Sequence, residues 1–370
     1  MTIRTYYIDR VRVVLTALVI LHHTAITYGA PGGWFYNELH PSAAPSSELL
    51  TVFVAVNQAF FMGFFFLLAG YFTPGSYERK GWRRFLLERL VRLGIPLVFF
   101  ALVLAPITIA IARGVSLRQM PAFWLTLMHR GVIVEGPLWF AQALLIFSLG
   151  YCLWRAWHGP LAKQPGLPLP SGRSWLLSAL AVAAVALVIR HWVPVGVNIL
   201  EMQLGYFASY IFLFAVGCAA WRGDWLDRLG RSRARRWGII ALCVIPLLPL
   251  TILLTAHAGG PNNSYGGGFN FHAALYAFWE PFVAWGIIAW MIYWFREHAN
   301  RPSPVWKALG RQAYAVYIIH PPVLVAAALL FHRWQAPALL KFAVTGSLTC
   351  VACSLLALLL VRIPGIARVV

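Results

Sequence analysis

Charge is what this chain has least of. Asp, Glu, Lys and Arg make up 11% of its 370 residues, against about 25% in a soluble globular protein. That scarcity excludes an ordinary water-soluble domain, and so does a mean hydropathy of +0.71. Acidic residues are rarer still, 11 against 30 basic ones. Cysteine is sparse: Cys152, Cys218, Cys243, Cys350 and Cys353 lie in or at the ends of apolar runs. Cys350 and Cys353 have a C-x-x-C spacing but no second pair and no nearby His, so no metal is expected and they read as small packing residues. No internal repeat is visible, which weighs against a transporter built from two related halves. No connection, including residues 30–46, 73–93, 114–136, 159–173, 222–236, 258–271 and 296–311, could bury a core of its own.

What fills the chain instead is apolar runs of spanning length, about 17 to 25 residues. They fall near 9–29, 47–72, 94–113, 137–157, 174–191, 203–221, 237–257, 272–295, 312–332 and 337–361. The expected fold class is all-α, a polytopic membrane protein of about ten transmembrane helices forming one domain over residues 1–370. Residues 1–29 resemble a signal peptide in position only, because the run is studded with charge and lacks a small-residue cleavage site.

A net charge of +19 would raise the question of nucleic acid in a soluble protein, but its distribution answers otherwise. With the N-terminus cytoplasmic, the inner segments hold 24 of the 30 Lys and Arg residues, and the outer ones hold Arg113, Arg118, Arg130, Arg190, Arg333 and Lys341. By the positive-inside rule both termini are cytoplasmic. The partner this charge implies is the lipid bilayer, with no nucleic acid.

The first run, "YYIDRVRVVLTALVILHHTAITYG", carries Asp9, Arg10, Arg12, His22 and His23. Ionisable groups inside a span are costly and rare, and they face partners or water-filled cavities. On a helix, the 11 residues from Arg12 to His23 turn about 1100° and rise about 16 Å, so the two share one stripe. Asp9 lies one turn before Arg12, within pairing reach. His22 points about 100° away from His23.

Arg12, ten residues, then His23 resembles the Arg-x10-His signature of the membrane-bound acyltransferase-3 family, which acylates sugars and other acceptors. "FMGFFFLLAGYF" is similar to that family's second-helix ending, and "RRFLLERLVRLGIPL" carries its Arg-x-x-Arg as Arg89 and Arg92. "GPLWFAQALLIF" and "LGRQAYAVYIIHPPVL" resemble its Leu-Trp-Phe and late Tyr-x-x-His segments. The resemblance runs in order over about residues 5–330. The long first external loop and the lack of an attached soluble domain look most like the glucan-modifying branch, which includes the periplasmic glucan succinyltransferase.

That resemblance implies an acyl-coenzyme A-dependent O-acyltransferase of the bacterial cytoplasmic membrane, taking acetyl-CoA or succinyl-CoA as co-substrate, with no metal. Arg12, Arg89 and Arg92 would hold the donor phosphates, since guanidinium forks suit them. His23, with Asp9, Glu280 and His320, would form the catalytic set. His23 would either deprotonate the acceptor hydroxyl or carry the acyl group itself. Glu135 and Trp139 would edge the path of a saccharide or other hydroxyl acceptor from the external side. Counting along the spans places His320, Glu280, Asn57 and Gln58 about 12 to 15 Å deep, in one polar layer with His23. The same layer suits a second reading, a proton-coupled carrier in which His23, Glu280 and His320 relay protons.

Overall fold

The computed structural model describes residues 6–258 and 265–369. The middle of the expected connection at 258–271 lies outside the described residues. Among them the chain is helical, with two isolated β-bridges and no strand, as a lipid environment demands of a backbone that must satisfy its own hydrogen bonds.

Among the described residues, nine helical segments are long and apolar enough to span: α1 Tyr6–Thr27, α2 Pro45–Ala112, α3 Gly136–His158, α4 Gly172–Trp192, α5 Leu204–Gly223, α6 Arg231–Thr255, α7 Phe271–His298, α8 Pro304–Leu330 and α9 Ala338–Leu360. The chain is thus an integral, all-α membrane protein. The count of nine and the ten apolar runs agree once α2 is inspected. Its 68 residues would measure about 100 Å as one helix, over three bilayer cores. Gly81 breaks it, with φ +71 and ψ 165, a conformation that a residue without Cβ adopts freely. The basic stretch expected as a connection at 73–93 is therefore helical on both sides of a single glycine. Past Gly81 the helix loosens into π turns at Leu90–Gly94 and Phe100–Leu104. A short helix, Met120–His129, occupies the expected connection at 114–136.

The chain folds as two compact units. One contains the residues up to Val11, Val56–Phe85 and Gly150–Arg301, and so holds α4 to α7. Its helices meet through small residues. A Cβ on Gly70 would stand 2.1 Å from the Phe214 carbonyl oxygen, one on Gly217 2.1 Å from that of Leu67, and one on Gly286 2.3 Å from that of Trp237. Backbones approach this closely because lipid tails offer no hydrophobic drive between helices, and packing must replace it. The α6 helix is the least covered, its window 11% buried against 61% for α7, and its exposed leucines suit a lipid-facing side.

The other unit contains Arg12–Ala55, Leu86–Leu149 and the chain from Pro302, hence most of α1, both ends of α2, the first part of α3, and α8 and α9. There Gly346 brings α9 against Leu21 of α1, and Ile20, Ala315, Val316, Cys353 and Ala357 pack into one apolar cluster. The loop after α1 doubles back over its end. Glu38 and Leu39 amides donate to the Thr27 carbonyl at 2.9 and 3.1 Å, and the Ser47 hydroxyl donates to the Gly29 carbonyl at 2.5 Å. The Glu38 carboxylate pairs with the buried Lys341 ammonium of α9. Gly32 permits the fold-back: its φ is +151, and a Cβ there would strike Ile26 Cδ1 at 2.6 Å.

Candidate active site

The α1 helix runs unbroken from Tyr6 to Thr27, so Arg12 and His23, both in the second unit, share one face. His23 Nδ1 lies 3.2 Å from His320 Nε2, and the rings stack with centroids 5.3 Å apart and 15° between planes. His320 is fully buried and its Nδ1 lies 2.6 Å from the Tyr317 carbonyl oxygen.

Local sequence explains why that carbonyl is available. In "YIIHPP" the residue four after Tyr317 is Pro321, which has no N–H to close the helical hydrogen bond. The orphaned carbonyl needs a donor, and the imidazole one turn away supplies it. The tautomers follow, assigned from the acceptors rather than seen as hydrogens. A carbonyl only accepts, so His320 carries its proton on Nδ1 and offers the Nε2 lone pair. His23 then donates from Nδ1, which leaves its own Nε2 unprotonated. A neutral histidine with a fixed tautomer and one unprotonated ring nitrogen is the form required to take a proton from a hydroxyl.

A third ring completes the stack. The Trp34 indole lies on His23 at 3.8 Å and 12°, and 5.8 Å from His320 at 11°. Its Nε1 is buried without a hydrogen-bond partner. Phe35 follows at 5.2 Å from Trp34 and 6.5 Å from Phe100. Gly136, at φ +47, fits between these two phenylalanines, where a Cβ would come within 2.9 Å of Phe100 and 3.1 Å of Phe35. The next residue, Pro137, accepts a hydrogen bond from the Tyr317 hydroxyl. The segment bearing Glu135 and Trp139 is thereby fastened to the wall that holds the histidines. The Gln142 side-chain amide faces the Glu135 carboxylate.

Of the residues singled out from sequence, His23 and His320 are in direct contact, and Glu135 and Trp139 stand on the adjoining segment. Arg12, Arg89 and Arg92 belong to the same unit, with Arg92 exposed in the π turn. Asp9, Asn57, Gln58 and Glu280 belong to the other unit. Gln58 donates to the Tyr210 hydroxyl at 3.0 Å. Glu280 is ion-paired with Arg190, both fully buried. The Arg190 guanidinium also lies 5.1 and 4.9 Å from the Tyr206 and Tyr276 rings and donates to the Gly205 carbonyl at 2.9 Å. Arg190, counted from sequence among the external charges, is thus the internal counter-ion of Glu280.

Sequence reasoning missed Trp34; the "PGGW" turn just after a histidine-bearing span was its signal. It quoted Tyr317 without giving it a task, although the proline four residues later marks a freed carbonyl. Arg190 carried the signal of a lone arginine at a span end facing a lone buried acid.

A polytopic membrane protein with a histidine pair of fixed tautomer inside its spans is the class that fold and site define. The Acyltransferase domain family matches residues 5–359, and the chain belongs to that family. It is similar to the glucans biosynthesis protein C of Salmonella gallinarum, 26% identical over 234 residues, covering 58% of each chain. No solved structure matches it.

Proposed function

We propose that this chain moves an acetyl- or succinyl-class acyl group from cytoplasmic acyl-CoA to a hydroxyl of a glucan-type saccharide reached from the external side. The observation that carries this reading is the Tyr317, His320, His23 hydrogen-bond chain, which leaves His23 Nε2 as a base. As the acceptor oxygen bonds to the thioester carbonyl carbon, its proton passes to Nε2. The C–S bond then breaks, and the departing thiolate takes that proton from His23. The products are an ester and a free thiol, and the histidine pair is restored.

His320 positions His23, and Trp34 holds one face of its ring. Arg12, Arg89 and Arg92 hold the donor's phosphates, with Asp9 balancing charge beside Arg12. Glu135 and Trp139 edge the acceptor's approach. Orientation rests on the basic inner loops and on Gly81, because splitting α2 gives an even number of spans and puts both termini on one side. Membership of an acyltransferase family and the kinship with a glucan biosynthesis protein support the donor and acceptor classes. We place the protein in the bacterial cytoplasmic membrane and assign the whole chain to one acyltransferase domain.

The test is purified protein in lipid nanodiscs, supplied with acetyl- or succinyl-CoA and a soluble glucan. Thiol release that depends on the glucan, with ester formed in equal amount, is the expected result. A proton-coupled carrier would move solute across vesicles and release no thiol, and that outcome would overturn the proposal.

A further inference from the structure

The stretch between α2 and α3, the expected connection at 114–136, does not simply arch over the end of α2. Its helix, Met120–His129, runs back along that span and packs against Ala105–Ala112. The Trp124 indole donates to the Leu102 carbonyl at 2.7 Å. Leu102 lies ten residues before Ala112, where α2 ends, so at 1.5 Å per residue the indole binds about 15 Å below the end of the span. Phe100, two residues further down, lies 2.9 Å from where a Cβ on Gly136 would stand. From Ala112 to Gly136 the chain has therefore descended about 18 Å. It arrives beside Phe35, whose neighbour Trp34 is stacked on His23.

Local sequence explains the indole. Pro106, four residues after Leu102, has no N–H to close the helical bond to that carbonyl. Leu102 is exposed along with Ile95, Val98 and Phe99, the outward side of an apolar span. In water a freed carbonyl would be hydrated, but in lipid it needs a protein donor, and Trp124 is that donor. The helix carrying it is apolar and exposed over most of its length, with Leu127 as its buried residue. Its exposed Trp124 and Leu125 continue the lipid-facing surface of the span. Residues 113–134 contain no Asp or Glu, and the exposed Arg113 and Arg118 stand where the span ends. Basic side chains beside an apolar helix face complement lipid headgroups.

Below the helix, the stretch 130–135 is not helical, and Arg130 and Ile133 in it are exposed. Irregular backbone at membrane depth occurs where it is buried in protein or lines water, and a charged side chain at that depth also faces water or a partner. This stretch is not buried, so water is what it meets.

We infer that Met120–His129 is a re-entrant arm seated in the lipid of the leaflet at which α2 ends, and that the stretch 130–135 at its foot lines a water-filled recess beside Phe35 and Trp34. The partner is phospholipid, with acyl chains on the apolar face and headgroup phosphates at Arg113 and Arg118. The insertion stands independently of the acyl-transfer reading; only the use of the recess as the acceptor's way to His23 rests on it.

Wild-type protein in phospholipid vesicles is photolabelled with a carbene precursor dissolved in the lipid and, separately, with a water-soluble one. Trypsin then cuts at Arg113, Arg118 and Arg130. Peptide 119–130 should carry the lipid-phase label as heavily as the spanning segments, peptide 114–118 mainly the aqueous label, and residues 131–135 the aqueous label. Aqueous label on 119–130 equal to that on 114–118 overturns the insertion. Neither label on 119–130 means that protein covers the helix, and that overturns it as well. Lipid-phase label on 131–135 overturns the recess. None of these outcomes involves thiol release, so a failure here is separate from a failure of the proposed reaction.

A second measurement reads the freed carbonyl. Trp124→Phe keeps an aromatic ring but removes the donor, and in nanodiscs it should lower the thermal midpoint by a few degrees, as a stranded polar group does. Adding Pro106→Ala, which restores a backbone N–H, should return most of that loss. Were the carbonyl in water, solvent would replace the indole, so an unchanged midpoint for Trp124→Phe counts against the insertion.

Discussion

The two units each bury a polar cluster among membrane-spanning helices, and they solve the same problem in opposite ways. In one, Arg190 and Glu280 set opposite full charges against each other and surround them with Tyr206, Tyr276 and the Gly205 carbonyl. In the other, His23 and His320 carry no formal charge and are linked end to end to a carbonyl that Pro321 has freed. Breaking a buried charge pair leaves an uncompensated ion, so such a pair resists change. A neutral histidine chain costs far less to bury and keeps one basic nitrogen spare. Both clusters were equally prominent as intramembrane ionisable residues, and both keep unpartnered capacity, Glu280 Oε1 and Arg190 Nη1 included; the difference is that a carboxylate held by a guanidinium is a weak base, whereas a neutral imidazole is ready to take a proton.

The widest separation between the two clusters should come from His23→Ala, which should cut acyl transfer at least 10²-fold to 10⁴-fold, the contribution of a positioned base, at wild-type thermal stability. Glu280→Gln should do the reverse. It should destabilise the protein by roughly 3 to 5 kcal/mol through the stranded Arg190 charge, and Arg190→Met combined with Glu280→Gln should recover much of that loss and retain transfer activity. Thermal unfolding in detergent alongside a thiol-release assay reads both effects. An inactive, fully folded double variant would place Glu280 in the chemistry and dissolve the contrast.

Next in size is the orienting partner. His320→Phe keeps a ring in the stack but removes the acceptor for His23 Nδ1–H, and transfer should fall about 10- to 100-fold, as when a functional histidine loses its orienting hydrogen bond. Unchanged turnover would mean that His23 sets its own tautomer. Trp34→Phe should be milder than Trp34→Ala, because it preserves the stack on His23. Aromatic pairs contribute about 0.5 to 1.5 kcal/mol beyond burial, so the alanine variant should lose roughly tenfold in kcat if stacking is what matters. The smallest effect belongs to Pro321→Ala. Restoring an amide N–H there offers the Tyr317 carbonyl a backbone donor in competition with His320, and kcat should drop by a few-fold while KM holds.

Much of the fold was legible because the signals are additive along the chain. Apolar runs report spans whatever they pack against. The basic loops report orientation in the same way, though that assignment still awaits labelling from either side. The phase of α1 was also legible, since a continuous helix fixes the angle between Arg12, His22 and His23. Gly81 was harder, because a helix and a connection look alike in a stretch as basic as "YERKGWRRFLLER". The candidate site was read in part. His23 and His320 were named, yet their contact joins residues 297 positions apart, and no local pattern states which buried polar groups meet.

The sequence alone therefore determined class, span positions and the helical phase of the first histidine, because hydropathy and helix geometry act over a few turns. Its order of short motifs also determined the family. Tertiary structure decided the partnerships: that His320 meets His23, that Arg190 neutralises Glu280, and that Trp34 returns from a loop to lie on the imidazole. Each of these depends on which helix faces which, and in a bilayer that choice is made by close packing and by hydrogen bonds that have no water to replace them.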